Sequence, residues 1–419
     1  MLAHRVNASA AQRSFAHGAA LALVWLTMAT SAFVFSEPCP TDLLAVGLIV
    51  LLPAIGLVRF TPALALPLIA FTAIAATGLI AVTAATDTAS ALMHTLVSLY
   101  LALATLVFAA FIAMKPDAHL KLVFNGLTFG AAIAAAAGVL GYFGMIPGAE
   151  MFTKFGRATG TFKDPNVFGP FLVPPALYMI HTALNRPLRR AIAPIALAGL
   201  FALAVMLSFS RGAWVNLAVA LAAYLVLSVL TSTTVARQRK LILLSCAGVG
   251  AAALMVLAAT QVEQVGNLMN ERASVTQDYD VGPEGRFGGQ QKAISIALEN
   301  PLGIGAAQFT AYRHHEEVHN VYLSMVLNAG WIGGAAFAIL NVLTVLIGVQ
   351  ACFERLPAQP LLIIAVAALI ATVGEGAIID TDHWRHFYLQ MAMVWGVVSA
   401  PHGAGAARRS RRIASAAIA

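Results

Sequence analysis

The chain has 419 residues, 60% of them hydrophobic and only 10% charged, with a formal net charge of +7. So apolar a composition excludes an ordinary water-exposed globular enzyme and points to a chain that satisfies its backbone inside lipid. The basic excess does not indicate nucleic acid, because Lys and Arg lie in short loops between apolar segments, where positive charge reports membrane orientation.

Apolar segments of about 20 residues, the length that crosses a bilayer, recur near 16–35, 42–58, 62–82, 89–114, 119–145, 167–184, 190–209, 211–230, 240–260, 319–350, 360–380 and 385–400. They predict an all-α polytopic membrane protein of about twelve spans. The first segment is too long and too poorly marked for cleavage to be a signal peptide. Residues 1–145 hold the first five spans. Residues 146–400 hold the rest with one large polar loop, 261–318, containing short helices, and 401–419 form a basic tail. Twelve spans put both termini on one side. That side holds 16 of the 25 basic residues and, of the acids, only Asp117 and Glu354. The termini are therefore expected in the cytoplasm and the loop outside. Ala-rich tracts such as 131–137 read as close helix packing. The basic runs 185–190, 237–240 and 408–412 read as solvated anchors. Cys39, Cys246 and Cys352 lie far apart and give neither a metal spacing nor a disulfide framework.

The outward cations are clustered. Lys154, Arg157 and Lys163 fall in the loop 147–166, and Arg211 stands between two spans. Arg272, Arg286, Lys292 and Arg313 fall in the large loop, and Arg385 precedes the last span. In this topology every even-numbered span begins at the outer surface. Spans two and four begin beside Asp42 and Asp87, ordinary capping acids; spans six, eight, ten and twelve begin beside Lys163, Arg211, Arg313 with His319, and Arg385. A helix start already carries partial positive charge. Cations added there call for an anion at the outer boundary.

Asp164-Pro165-Asn166 reads equally as a cap at the start of span six and as a substrate contact. Arg211, in Ser210-Arg211-Gly212, has no routine reason to sit at this depth and marks a functional site. In the large loop, residues 284–305 read as turn, amphipathic helix and Pro/Gly stop, with Ile294, Ala297 and Leu298 on the packed face. Arg286 sits just before that helix among glycines. His314, His315 and His319, with Glu316 and Glu317, lack the Glu-x-x-His pattern of a zinc peptidase, so no metal site is assigned. His319 begins span ten, where the helix start and nearby cations would keep its imidazole neutral and able to accept a proton.

With residues 160–169, Ser210-Arg211-Gly212, Gly285-Arg286, Asn300-Pro301-Leu302-Gly303-Ile304-Gly305, His319-Asn320-Val321-Tyr322-Leu323 and Asp382-His383-Trp384-Arg385 in order, the chain resembles the O-antigen ligase/polymerase family between about 160 and 395. The resemblance implies a GT-C-like, inverting glycosyltransferase that needs no metal or cofactor. Its donor would be an undecaprenyl-diphosphate-linked glycan at the outer face of the bacterial inner membrane. Ligases pass the glycan to lipid A–core, polymerases to another lipid-linked unit. The family's paired arginines map by motif onto Arg211 and Arg286, and its loop histidine onto His319. Lys163, Asp164, Asn166, Arg313, Asn320, Asp382 and Arg385 complete the expected substrate-binding set. Ligases often carry a further basic residue in an early outer loop, and the loop near Asp87 has none. The rival readings are an anion or polyprenyl-lipid transporter and a binding subunit without chemistry. A transporter tends to show internal repeats and charges near the bilayer midplane, whereas only Glu375 lies within a span here.

Overall fold

Lipid offers the backbone no hydrogen bonds, so an apolar chain of this kind must form helices that satisfy their own N–H and C=O groups. The computed structural model describes residues 2–273, 282 and 285–401 and is helical almost throughout. The tail beyond residue 401, and in the loop residues 274–281, 283 and 284, lie outside the described residues. Five helices come first: α1 (Leu2–Thr30), α2 (Pro40–Ala54), α3 (Ala65–Val82), α4 (Thr88–Ile112) and α5 (Pro116–Tyr142). A two-stranded hairpin, β1 (Thr153–Lys154) and β2 (Arg157–Ala158), precedes α6 (Pro165–Phe171), α7 (Val173–Leu184), α8 (Leu188–Leu207), α9 (Arg211–Leu230) and α10 (Val235–Ala259). The large loop carries α11 (Glu263–Ala273), α12 (Arg286–Glu299) and α13 (Gln308–Tyr312). The chain closes with α14 (Val321–Cys352), α15 (Gln359–Glu375) and α16 (Arg385–Val398).

Each of the twelve expected segments meets helix in the expected order. Among the described residues, 8 helical stretches are long and apolar enough to cross a bilayer, and α2 and α15 are shorter apolar helices. The chain is an all-α multi-pass membrane protein. Two spans are broken. The sixth is a pair of helices, α6 and α7, joined at Leu172, where Pro170, Pro174 and Pro175 remove backbone donors. The tenth, α14, starts two residues later than expected and is interrupted at Gly330, whose φ of 70° and ψ of −178° are non-helical.

The segment 300–305 explains that interruption. Ile304 N–H donates to the Leu327 carbonyl at 2.8 Å and Trp331 N–H to the Pro301 carbonyl at 2.9 Å. The Trp331 indole donates to Ala297 O at 2.7 Å. The backbone groups released by the break are thus taken up by the loop, as non-helical backbone at this depth requires. A Cβ on Gly330 would stand 2.7 Å from Pro301 O, so only glycine fits. The same docking corrects the expected face of α12. Ala293 and Ala297 are the buried residues, while Ile294 and Leu298 are exposed, because small side chains let α12 approach α14 closely. Arg286 is the first residue of that helix, not a residue before it.

The centre of the bundle is α15 and α16, packed on α9 and α4. Trp395 of α16 donates from its indole to Thr344 Oγ1 of α14 at 3.0 Å, a polar contact within this core. The Ala tract of α5 does what its composition suggests: Ala131, Ala134 and Ala135 are buried. At Gly130 a Cβ would fall 2.2 Å from the Ala29 carbonyl of α1.

Candidate functional site

A cavity of about 610 Å³ opens among α1, α2, α4, α5, α14 and α16. Its inner wall is apolar, from Met28, Leu101, Phe108, Leu127 and Ala392 among others. Its polar end carries Lys163, Asp164, Asn166, Glu317, His319, Asp380, Asp382, His383 and Arg385. A space with one apolar wall inside the bundle and one polar wall at the loops suits an amphiphile.

His319 is held by three elements. Asn320 caps α14 by accepting from Leu323 N–H at 3.2 Å, and His319 stands one residue outside that cap. Its N–H donates to Asp380 Oδ2 at 2.8 Å, and its carbonyl accepts from Gln290 of α12 at 3.3 Å. Its φ of 53° is left-handed, a conformation that non-glycine residues hold at a cost of about 1–3 kcal/mol and that concentrates at functional positions. Asp380 also accepts from the Ser324 hydroxyl, so one carboxylate fixes both the His319 main chain and the first turn of α14. Asp380 was not legible in the sequence as a site residue.

Carboxylates also stand in the surroundings of His319. Its imidazole and the carboxylates of Glu317 and Asp380 place ligand-type atoms within 4.8 Å of one another. Glu317 is exposed by area, but it projects over the cavity. Desolvation there, with the charges of Asp380, Asp382 and Asp164, pushes its pKa up to about 7. Asp380 is raised by burial and by Asp382. An imidazolium formed at His319 would meet stabilising carboxylates.

Arg385 is engaged by the protein itself. Its Nε and Nη2 donate to Asp42 Oδ1 and Oδ2 at 2.6 and 2.8 Å, a bidentate fork. Glu37 stands 3.6 Å from Nη1 and also 3.7 Å from Lys163 Nζ. Asp42 additionally accepts from Cys39 N–H at 2.8 Å and the Tyr100 hydroxyl at 3.2 Å. Asp42 is therefore more than a cap, and the negative partner expected at the start of the last span is this carboxylate. Asp87 keeps the role of a cap, accepting from Ser90 N–H at 3.1 Å.

Asp164 caps α6 through Asn166 N–H at 2.7 Å, the bland half of its reading, while its position on the cavity keeps the other half open. The Asn166 side-chain carbonyl accepts from Arg157 Nη2 at 2.7 Å, and Arg157 Nε donates to Ser208 O at 2.8 Å. Arg157 is buried and so clamps the hairpin loop to the α8–α9 corner; the sequence marked it only as one outward cation among nine. Arg211 and Arg286 begin α9 and α12 and, like the exposed Arg313 and the capping Asn320, are not part of the cavity lining. Glu375, the last residue of α15, accepts from Asn216 Nδ2 of α9 at 2.6 Å, a helix–helix contact outside the cavity.

Two histidines missed from the sequence, His94 and His383, flank Asp382. The three could by proximity hold a metal ion, but the imidazoles stack with centroids 3.8 Å apart and planes 29° apart. Their in-plane lone pairs run side by side instead of converging, which fits an ion poorly. His383 also pairs with Ser98 Oγ at 3.0 Å, and burial lowers its pKa to about 4. In the second group, Glu317, His319 and Asp380, both oxygens of Asp380 already accept hydrogen bonds. His314 is buried against Phe309 and accepts from Glu316 N–H at 3.2 Å, and His315 is exposed; neither lines the cavity.

Residues 196–338 match the family model described as O-antigen ligase. The match is shorter than the stretch of resemblance read from motifs. It contains Arg211, Arg286, Arg313, His319 and Asn320, but not Lys163, Asp164, Asn166, Asp382 or Arg385. No curated protein matches the chain.

Proposed function

We propose that the chain, whose residues 196–338 match the O-antigen ligase family model, is a membrane-embedded, glycan-transferring enzyme that works at the periplasmic face of the bacterial inner membrane. In this reading both termini are cytoplasmic and the cavity opens outward. The donor is an undecaprenyl-diphosphate-linked glycan and the acceptor is lipid A–core. An acceptor hydroxyl attacks the anomeric carbon, the bond from that carbon to the diphosphate oxygen breaks, and the electron pair leaves with the diphosphate. An α-linked donor then gives a β product. The hydroxyl proton passes to the His319 imidazole. Arg211 and Arg286 bind the diphosphate through guanidinium forks, so that charge developing on the leaving group is stabilised. Lys163, Asp164, Asn166, Arg313, Asn320, Asp382 and Arg385 contact or order the substrates, and no metal takes part.

The observation that carries this reading is the presentation of His319: a strained backbone, fixed by Asp380 and Gln290, on the polar end of a cavity whose far wall is apolar. A second reading is a polymerase, with another lipid-linked unit as acceptor. It is favoured by the turn before α4, where Asp87 caps the helix and no basic residue is present.

The test is single-turnover transfer from purified lipid-linked donor to each acceptor in turn, across pH, with and without a chelator. General-base assistance contributes about 10²–10⁴-fold. His319→Ala should lose that much, and His314→Ala and His315→Ala should stay within about threefold of the parent. Arg211→Lys should also fall, since the fork is lost while the charge is kept. Retained rate in His319→Ala, or loss to the chelator with rescue by zinc, would overturn the mechanism.

A further inference from the structure

The basic runs 185–190 and 237–240, which look like separate anchors in sequence, come together in space. They sit where α7 ends at Leu184 and α8 begins at Leu188, and where α9 ends at Leu230 and α10 begins at Val235. These are the opposite ends of the same helices from Asp164 and the Ser208–Arg211 corner. Lys240 Nζ donates to the Leu184 carbonyl at 3.0 Å, joining the start of α10 to the end of α7. Between the two loops lies a concavity of about 570 Å³ lined by Asn185, Arg186, Arg237 and Lys240. Arg189, Arg190 and Arg239 adjoin it in sequence and are exposed.

Among the described residues no carboxylate answers this charge. The sequence holds no Asp or Glu between Asp164 and Glu263. Among the described residues none of the six cations pairs with a carboxylate. The partial positive charges at the starts of α8 and α10 are offset by the partial negative ends of α7 and α9, so the formal charges of the side chains set the character of the site. Cations gathered in a concave site repel one another unless an anion occupies it. The neighbouring surface says what kind of anion: Leu188, Ile192, Val235 and Leu243 are large apolar side chains left exposed on helices that face hydrocarbon. We propose that this pocket binds the phosphate headgroup of an anionic phospholipid, whose acyl chains lie along the exposed faces of α8 and α10. Basic pockets between membrane helices on the cytoplasmic side are a recurrent form of such recognition. The assignment to the cytoplasmic leaflet rests on the orientation proposed above, whereas the binding does not depend on glycan transfer.

The experiment uses the full chain in vesicles of phosphatidylcholine doped with phosphatidylglycerol or cardiolipin, with retained lipid counted by native mass spectrometry after gentle extraction. A cation near an anionic surface is worth roughly fivefold in affinity, so R186A/R237A/K240A should lose retention by about a hundredfold. Because that variant removes orientation signals, Arg237→Gln alone is tested beside it and should lose about fivefold. A control lacking Arg59, Lys115 and Arg355, cations of the same side, should retain lipid as the parent does. Equal retention of phosphatidylcholine and anionic lipid overturns the proposal, as does undiminished retention in Arg237→Gln. Displacement by millimolar inorganic phosphate without loss to added phosphatidylcholine would assign the pocket to a soluble anion and overturn the lipid assignment.

Discussion

Removing Asp42 should expose how Arg385 is used. The pair is largely shielded, with side-chain exposures of 22% for Arg385 and 11% for Asp42, and is joined at 2.6 and 2.8 Å. Breaking a buried pair of this kind costs about 3–5 kcal/mol, because one charge is left without its partner. Glu37 remains 3.6 Å away but is 56% exposed, so it recovers less than about 1 kcal/mol. Asp42→Ala should therefore cost about 3 kcal/mol. Arg385→Met, similar in length and apolar, should cost less when made in the Asp42→Ala background than alone. The assay is a double-mutant cycle on purified protein in micelles, unfolded by heat or denaturant and followed by tryptophan fluorescence, which isolates the coupling energy. A coupling below about 1 kcal/mol would refute the reasoning. Arg385 would then be a cation kept available for an anionic ligand, as the sequence suggested.

Three further outcomes follow from single positions. Gly330→Ala forces a Cβ to within 2.7 Å of Pro301 O in a left-handed backbone; it should destabilise by at least about 1–3 kcal/mol. Gly199→Ala in α8 meets nothing within 4 Å and should be neutral or stabilising by up to about 1 kcal/mol, with melting temperature as the readout for both. Glu317 holds a proton in the folded chain up to about pH 7, against 4.5 for an ordinary glutamate. Folding therefore favours the protonated form, and stability should fall as pH rises from about 4.5 to 7 and stay level above that. Glu317→Gln should flatten that slope, and an unchanged slope would remove Glu317 from the account.

The helices were legible because a bilayer demands a long apolar run for each crossing, and few other patterns satisfy that demand. The breaks were not. A glycine inside an apolar helix is common in membranes, so nothing about Gly330 in the sequence says that 300–305 will dock there. His319 was legible from its place at a polar-to-apolar boundary, yet the carboxylates beside it were not. The carboxylates near it come from Glu317 in the same loop and from Asp380 some sixty residues on, in the short connection between α15 and α16. The cation pattern also had an internal answer at Arg385, and Lys163 shares Glu37 with it. Asp42 lies 343 residues from Arg385 along the chain, and no local pattern links them. Arg157 shows the same limit: its clamp joins two loops that only the fold brings together.

The main-chain bonds that seat 300–305 on the break in α14 bear on how the large loop is held. Ile304 and Trp331 bind across the gap in opposite senses, and Gln290 holds the His319 carbonyl from the other end of α12. Helix α12 and the first half of α14 are thus fastened at two points about a helix-length apart, like a plate with two rivets. The break in α14 and the residue proposed as the base are therefore held on one frame, with α12 as its bar.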